Sequence, residues 1–375
     1  MQSIIFADSW NQWMLYMRKL DWYILRKFLG TFFYAIGILI VITVVIDISE
    51  KLDDFVKSHL SIKQLIFEYY IGFIPHIAAL LFPLFVFIAV IFFTSRLAYR
   101  SEIIAMLSAG ISFRRMLRAY WVGGVLLCIL LWAGNRWVVP RADRIRDAFE
   151  DKYVNDVDES KQISNVHLRI DSFSYVTMYI YDPIYKYASG FKLEKIRNQD
   201  LYYRLEAQNV RWDSTHKTWN TGPCVIRTFN GLQETARQIA DTSLKIPLSP
   251  EDLIQRSNIT ETLTTPELNA YIAREKLRGS EGINALYVEK YRRDASAVAV
   301  VILTLIGVAI ASRKVRGGSG LHLAIGIVIG SAYIVVLQFS YTFSVKGNLS
   351  PFVAVWLPNV LFGAVAFALL RRAPK

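Results

Sequence analysis

Cysteine is almost missing from this chain: 375 residues hold two. Cys128 falls inside an apolar run and Cys224 in a polar block, so no disulfide joining them is expected. Neither thiol has the spacing of a metal or redox site. Catalytic motifs are missing as well. There is no H-E-x-x-H and no G-x-S-x-G, and Gly317-Gly318-Ser319-Gly320 lacks both the lysine and the preceding strand of a phosphate loop. The five histidines, His59, His76, His167, His216 and His322, stand singly, so a structural or surface role is expected of each and no metal site is assigned. A chain with so few convergent polar groups is not expected to be an enzyme. Acidic residues are the scarcer sign, 31 against 43 Lys and Arg, for a net charge of +12. A basic balance is one mark of nucleic-acid binding, but no zinc finger, RNP motif or basic helix accompanies it.

What the chain has instead is apolar sequence, unevenly spread. Fifty-three per cent of its residues are hydrophobic and the mean hydropathy is +0.30. Crossing a bilayer core takes about 20 apolar residues of helix, and six segments qualify: Phe28–Ile46, Tyr70–Thr94, Ala119–Val139, Ala295–Ser312, Leu321–Phe343 and Pro351–Leu370. Pro75 and Pro83 interrupt the second, where a kink is expected. Residues 1–27 precede the first span and lack the pattern of a cleaved signal peptide. Met17, followed by Arg18, Lys19 and Leu20, would make a natural start. The interiors of spans two to six hold no Asp or Glu; His76, Arg136, Gln338 and Asn359 are their notable polar side chains. A carrier driven by ions through membrane carboxylates is therefore not expected, and energy for transport would come from elsewhere.

Orientation follows from the loops. Arg18, Lys19, Arg26 and Lys27 precede span one. Arg96, Arg100, Arg114, Arg115 and Arg118 lie between spans two and three; Arg313, Lys314 and Arg316 between four and five; Arg371, Arg372 and Lys375 after six. The intervening loops mix signs or are nearly neutral. Alternate basic loops predict both termini in the cytoplasm, spans one to three over residues 28–139 and spans four to six over 291–375.

Residues 140–290 then lie outside the cytoplasm, and their texture is β. Val166–Ile170, Tyr175–Tyr181, Phe191–Ile196, Tyr202–Asp213 and Val225–Phe229 are rich in β-branched and aromatic residues. Turn clusters at Asp182-Pro183, Asn198-Gln199-Asp200, Asp213-Ser214-Thr215 and Asn220-Thr221-Gly222-Pro223 separate them, which predicts an all-β sandwich or jellyroll-like domain. A helix is expected over Leu268–Leu277, with Thr265 as N-cap and Pro266 at its first position. The fold class read from sequence is thus a six-span α-helical membrane protein with an inserted β domain.

One basic loop stands out, Arg100-Ser101-Glu102-Ile103-Ile104-Ala105-Met106-Leu107-Ser108-Ala109-Gly110. Ser101 is placed to cap a short helix over about 101–110, with Glu102 near its positive end, Gly110 as its stop, and Ile103, Met106 and Leu107 on one face. Such a helix reads equally as an interfacial connector, its arginines on lipid phosphates, or as a docking helix for a cytoplasmic partner.

At these residues the chain resembles the lipopolysaccharide-export permeases, the Lpt F/G (YjgP/YjgQ) family. The resemblance runs from Leu20 to the C-terminus. It rests on L-D-W-Y-I-L-R-K-F at Leu20–Phe28, R-S-E-I-I-A-M-L-S-A-G-I-S at Arg100–Ser112 and W-V-V-P at Trp137–Pro140. Y-R-L-E-A-Q-N-V-R-W-D before H-K-T-W-N, E-L-N-A-Y-I at Glu267–Ile272 and the three-plus-three layout add to it. The D-x-Y-I start leans towards the G-type. The resemblance implies a permease half that pairs with a second, homologous permease and works with a dimeric cytoplasmic ABC ATPase. The pair would extract lipopolysaccharide from the outer leaflet of the bacterial inner membrane, and a periplasmic β-jellyroll would hand it to bridge proteins of similar fold. The chain itself would carry no cofactor; its partner would hydrolyse ATP. Arg100, Ser101, Glu102, Met106 and Gly110 fall on the family's coupling helix, with Glu102 as the docking acid. The lysines that G-type members carry at the outer end of span one fall here near Asp47, Asp53 and Asp54, so the lipid-phosphate contacts are expected at Lys51, Lys57 and Arg136 instead. For each, plain snorkelling is the competing reading. The alternative function is a membrane-anchored periplasmic scaffold that transports nothing.

Overall fold

The computed structural model describes residues 19–372 apart from 59, 154–161, 198–199, 232, 254–258, 279–281 and 314–317. The expected start at Met17, with Arg18, His59, Lys314, Arg316 and Lys375, lies outside the described residues. In chain order the first helices are α1 (Lys19–Lys57), α2 (Ile62–Tyr99), the short α3 (Glu102–Ser108) and α4 (Phe113–Tyr153). Strands β1 (Ile163–Arg169), β2 (Ser174–Asp182), β3 (Tyr187–Arg197) and β4 (Asp200–Asp213) follow, then β5 (Thr218–Thr221), β6 (Cys224–Asn230), β7 (Gln233–Ile239) and β8 (Thr242–Leu244). The chain ends with α5 (Pro250–Leu253), α6 (Ile259–Thr262), α7 (Thr265–Arg278), α8 (Ile283–Ala311), α9 (Gly320–Lys346) and α10 (Pro351–Arg371). Two compact units result: Met1–Arg146 together with Tyr287–Lys375, and Asp147–Leu286.

Six helices among the described residues, α1, α2, α4, α8, α9 and α10, are long and apolar enough to cross a membrane. Lipid leaves no water for backbone N–H and C=O, so apolar runs of this length must satisfy them within a helix. The 39 residues of α1 rise through about 58 Å, well past a hydrocarbon layer of about 30 Å. The core of this unit joins Ile24, Phe28 and Phe32 of α1, Val86 and Val90 of α2, and Tyr120 and Leu127 of α4. Polar side chains inside it are paired. Thr94 Oγ1 donates to Tyr120 Oη at 2.9 Å. Tyr333 Oη donates to Asn359 Oδ1 at 3.0 Å, while Asn359 Nδ2 donates to the Ala295 carbonyl at 2.8 Å, tying α9, α10 and α8 together.

The helix of span three does not end at Val139. It runs on to Tyr153 through a wide π-type turn at Gly134–Val138, two residues before Pro140. Pro140 has no N–H for the Arg136 carbonyl, and a locally widened ladder lets the helix continue past it. Helix α2 likewise runs unbroken through Pro75 and Pro83, after a second π-type turn at Leu65–Tyr70. The second unit accordingly starts at Asp147, inside this helix, and closes at Leu286.

The β unit is one antiparallel sheet in the order β1-β2-β3-β4-β5-β8, with β6 following β5 along the same edge of β4 and β7 pairing with β6. Tyr203–Ala207 of β4 pair with β6, whereas Val210–Asp213 pair with β5. One face is apolar: Val176, Met178, Phe191, Leu205 and Trp219 are fully buried. Trp219 donates its indole N–H to the Leu248 carbonyl at 2.8 Å. Across other positions runs a charged ladder, with Arg204 on Glu194 at 2.8 Å and Arg227 on Glu234 at 2.6 Å. The five expected strands are all present. Sequence reading missed β5, β7 and β8; β7 is polar and almost wholly exposed, so it carries no alternation to read. The helix expected from Leu268 is α7, but its cap is Thr264 rather than Thr265: Glu267 Oε2 accepts from both the N–H and the hydroxyl of Thr264, each at 2.8 Å.

The turn after β4 makes one pH-dependent contribution. A hydrogen bond from His216 to Asp213 Oδ2, aided by the backbone N–H groups of Thr215 and His216 on Oδ1, lowers the Asp213 carboxyl to about 2. Because the folded value is depressed, its stabilisation is present above the ordinary carboxylate range and lost as pH falls through about 2. Asp213→Asn should flatten that part of the acid melting profile and leave the profile at neutral pH nearly unchanged in slope.

Candidate functional site

Helix α2 ends at Tyr99, Arg100 is exposed, and the chain reverses on Ser101. Ser101 stands at φ 61° and ψ 11°, a left-handed conformation that costs a residue with a side chain about 1 kcal/mol. The expected side-chain cap is not made there. Instead the Ser101 carbonyl accepts the Ala105 N–H at 2.9 Å. At the far end Gly110 takes φ 80°, its N–H reaching the Leu107 carbonyl at 3.0 Å while that of Ile111 reaches Met106 at 3.1 Å. This doubled closure is the Schellman stop, and it suits glycine because no Cβ meets the backbone at that φ. Helix α3 is therefore a short, stiff piece bounded by two left-handed residues.

Ile103 and Met106 bury its inner face in the core that also holds Ile24, Phe28 and Met116, with Leu107 and Ile111 packed beside them. Its outer face offers exposed Ile104, Ala105 and Ser108. Glu102, half-buried in the first turn, accepts a hydrogen bond on Oε2 from Tyr23 Oη of α1 at 3.2 Å. Of the five sequence-predicted residues of this segment, Glu102 and Met106 lie in α3, Ser101 and Gly110 bound it, and Arg100 closes α2. The Tyr23 contact, 79 residues away along the chain, carries no sequence signal.

The three basic residues expected at lipid phosphates sit in different surroundings. Lys51 is 3.3 Å from Asp47 on the next turn of α1, and its ammonium lies 4.7 Å from the Tyr69 ring centre. Asp47 is buried and accepts from Tyr69 Oη at 2.9 Å and Tyr70 Oη at 3.1 Å. Lys51 is thereby held in a carboxylate–tyrosine cluster that fastens α1 to α2. Lys57, the last residue of α1, is exposed. Arg136 lies 4.9 Å from the Trp132 ring and 3.8 Å from Asp294, to which Trp132 Nε1 donates at 3.0 Å. Asn135 fixes the same place by donating to Ser296 Oγ at 3.0 Å. His76 is also partnered, with Nδ1 2.8 Å from Asp143 Oδ1. The spacing of Asp47 and Lys51 by four residues was readable as an ion pair; the tyrosines that complete the cluster were not.

A family model described as Lipopolysaccharide export system permease LptF/LptG matches residues 22–372. No curated protein sequence matches the chain.

Proposed function

Because the chain belongs to the lipopolysaccharide export permease LptF/LptG family, we propose that it is one permease of an ABC-type exporter. On this reading it pairs with a homologous permease, most simply as the G-type partner given its Asp21-x-Tyr23-Ile24 start. The pair takes lipopolysaccharide from the outer leaflet of the inner membrane and passes it through the β unit to a periplasmic bridge. Both termini and α3 face the cytoplasm, as the alternate basic loops support. A dimeric ATPase docks on α3 and supplies the work, since exposing lipid chains costs about 0.8 kcal/mol per CH₂.

The observation that carries the proposal is the form of α3. A rigid helix joins two spans, seats Ile103 and Met106 in their core, and holds an acid, Glu102, in its first turn. Pushed from outside, it has no slack in which to dissipate the displacement. Affinity purification from native membranes should bring down an ATPase, a second permease and bound lipopolysaccharide. Glu102→Ala should cut ATPase retention and lipid export about ten-fold, the scale of losing a charge-assisted contact, without lowering the yield of folded protein. Retention and export at wild-type level in that variant would remove the docking role. Export that persists after depletion of the chain would favour the scaffold instead.

A further inference from the structure

We propose that Tyr23 is a positioning residue of the coupling element: its hydroxyl ties α1 to Glu102, so that displacement of α3 is delivered to α1 as well as to the two spans α3 joins. The inference rests on the reading of α3 as the helix on which an ATPase acts.

The chain connects α3 covalently to α2 and α4 only. Yet α1 begins beside it. Tyr23 Oη donates to Glu102 Oε2 at 3.2 Å, and the next residue, Ile24, is fully buried in the core that holds Ile103 and Met106. The polar tie and the apolar seat are therefore adjacent residues on one turn. A carboxylate offers about four lone-pair sites on two oxygens; Tyr23 takes one on Oε2, leaving Oε1 for a cation of a docking subunit. Tether and docking coexist on one side chain. Glu102 is thus the point where a force applied from outside enters three helices at once.

Helix α1 is also the span that can use such a tie. Its apolar window is the least buried of the six within this chain, so beyond the seat at Ile24, Phe28 and Phe32 that stretch can shift with little loss of internal packing. Its other end is held at Asp47 by Tyr69 and Tyr70 of α2. From Tyr23 to Asp47 is 24 residues, about 36 Å of helix. Drawn at one end and held at the other, α1 tilts about the Asp47 contact when α3 shifts.

Tyr23→Phe tests this in the complete exporter reconstituted with lipopolysaccharide, because it removes one O–H and keeps the ring. Yield, melting and ATPase retention should match the unaltered complex, and ATP hydrolysis should stay within about two-fold. Lipopolysaccharide released per ATP should fall about three- to ten-fold, as one exposed charge-assisted hydrogen bond allows. In a Glu102→Gln background the same change should add little further loss, since the charged acceptor is already gone. Release per ATP at the unaltered level, with ATPase retained, overturns the tether and leaves docking untouched. So does loss of ATPase retention in Tyr23→Phe, which would make the tyrosine a docking residue, or an undiminished further loss in the Glu102→Gln background. A complex that never retains an ATPase, even unaltered, overturns the parent reading first.

Discussion

Gly72→Val should fail to yield a folded membrane unit, or yield one destabilised by about 3 kcal/mol or more. A Cβ at Gly72 of α2 would stand 2.5 Å from the Ala142 carbonyl oxygen and 2.8 Å from the Arg146 amide nitrogen of α4. Both are backbone atoms inside a helix, so neither can swing aside. The two helices would have to part, and Tyr69, Tyr70 and Phe73, all buried beside this crossing, would lose their packing. Gly326 makes the contrast: a Cβ there meets the tip of the Ile91 side chain, which can rotate away. Gly326→Ala should cost about 1 kcal/mol or less, and Gly30→Ala, with nothing within 4 Å, should be neutral or slightly stabilising. Monodisperse yield and thermal melting in detergent separate the three. A Gly72→Val protein that melts with the unaltered chain would show that α2 and α4 do not cross this closely.

Asp47→Leu should destabilise the same unit by about 2–4 kcal/mol. Its carboxylate is the acceptor for two tyrosine hydroxyls and the counter-charge for Lys51. Removing it takes the Asp47 acceptor from both tyrosines and the counter-charge from Lys51 in a mostly buried place, which costs more than the lost bonds alone. Asp47→Asn keeps an acceptor oxygen and should recover part of the loss, while still taking the counter-charge from the lysine, which keeps its hydrogen bond to Tyr69. The second readout is therefore chemical: Lys51 should react faster with an amine reagent in both variants. Unchanged melting together with unchanged Lys51 reactivity would contradict the cluster.

These two sites mark what could be read from sequence and what could not. The six spans were legible because about 20 apolar residues in lipid admit little but a helix, and the basic clusters punctuate them. Five strands were legible because β-branched and aromatic residues recur between turn dipeptides. Polar β7 was not, since its partner β6, and not its own pattern, makes it a strand. The run of the third helix beyond Val139 was not legible, because a wide turn five residues long lets it continue past Pro140. At the candidate site the apolar face of α3 and its glycine stop follow from spacing within eleven residues. Its strained Ser101 and its tie to Tyr23 do not: one depends on how two helices reverse direction, the other on which helix packs alongside. Lys51 was legible as a cation near the end of span one, but its engagement with Asp47 and Tyr69 is a property of the α1–α2 pair.

The shared register of the outer strands has a mechanical corollary. Strand β4 pairs with β5 and β6 along one edge in a single register, Gly222 N–H reaching the Asn209 carbonyl between them, and β8 and β7 continue as the next row in one register of their own. Only Gly222 and Pro223 stand between β5 and β6, and Pro223 has no N–H to give the ladder, so the interruption is a missing rung and not a branch. The outer rows of the β unit are therefore held to β4 along their whole length, and peeling them away would break backbone bonds.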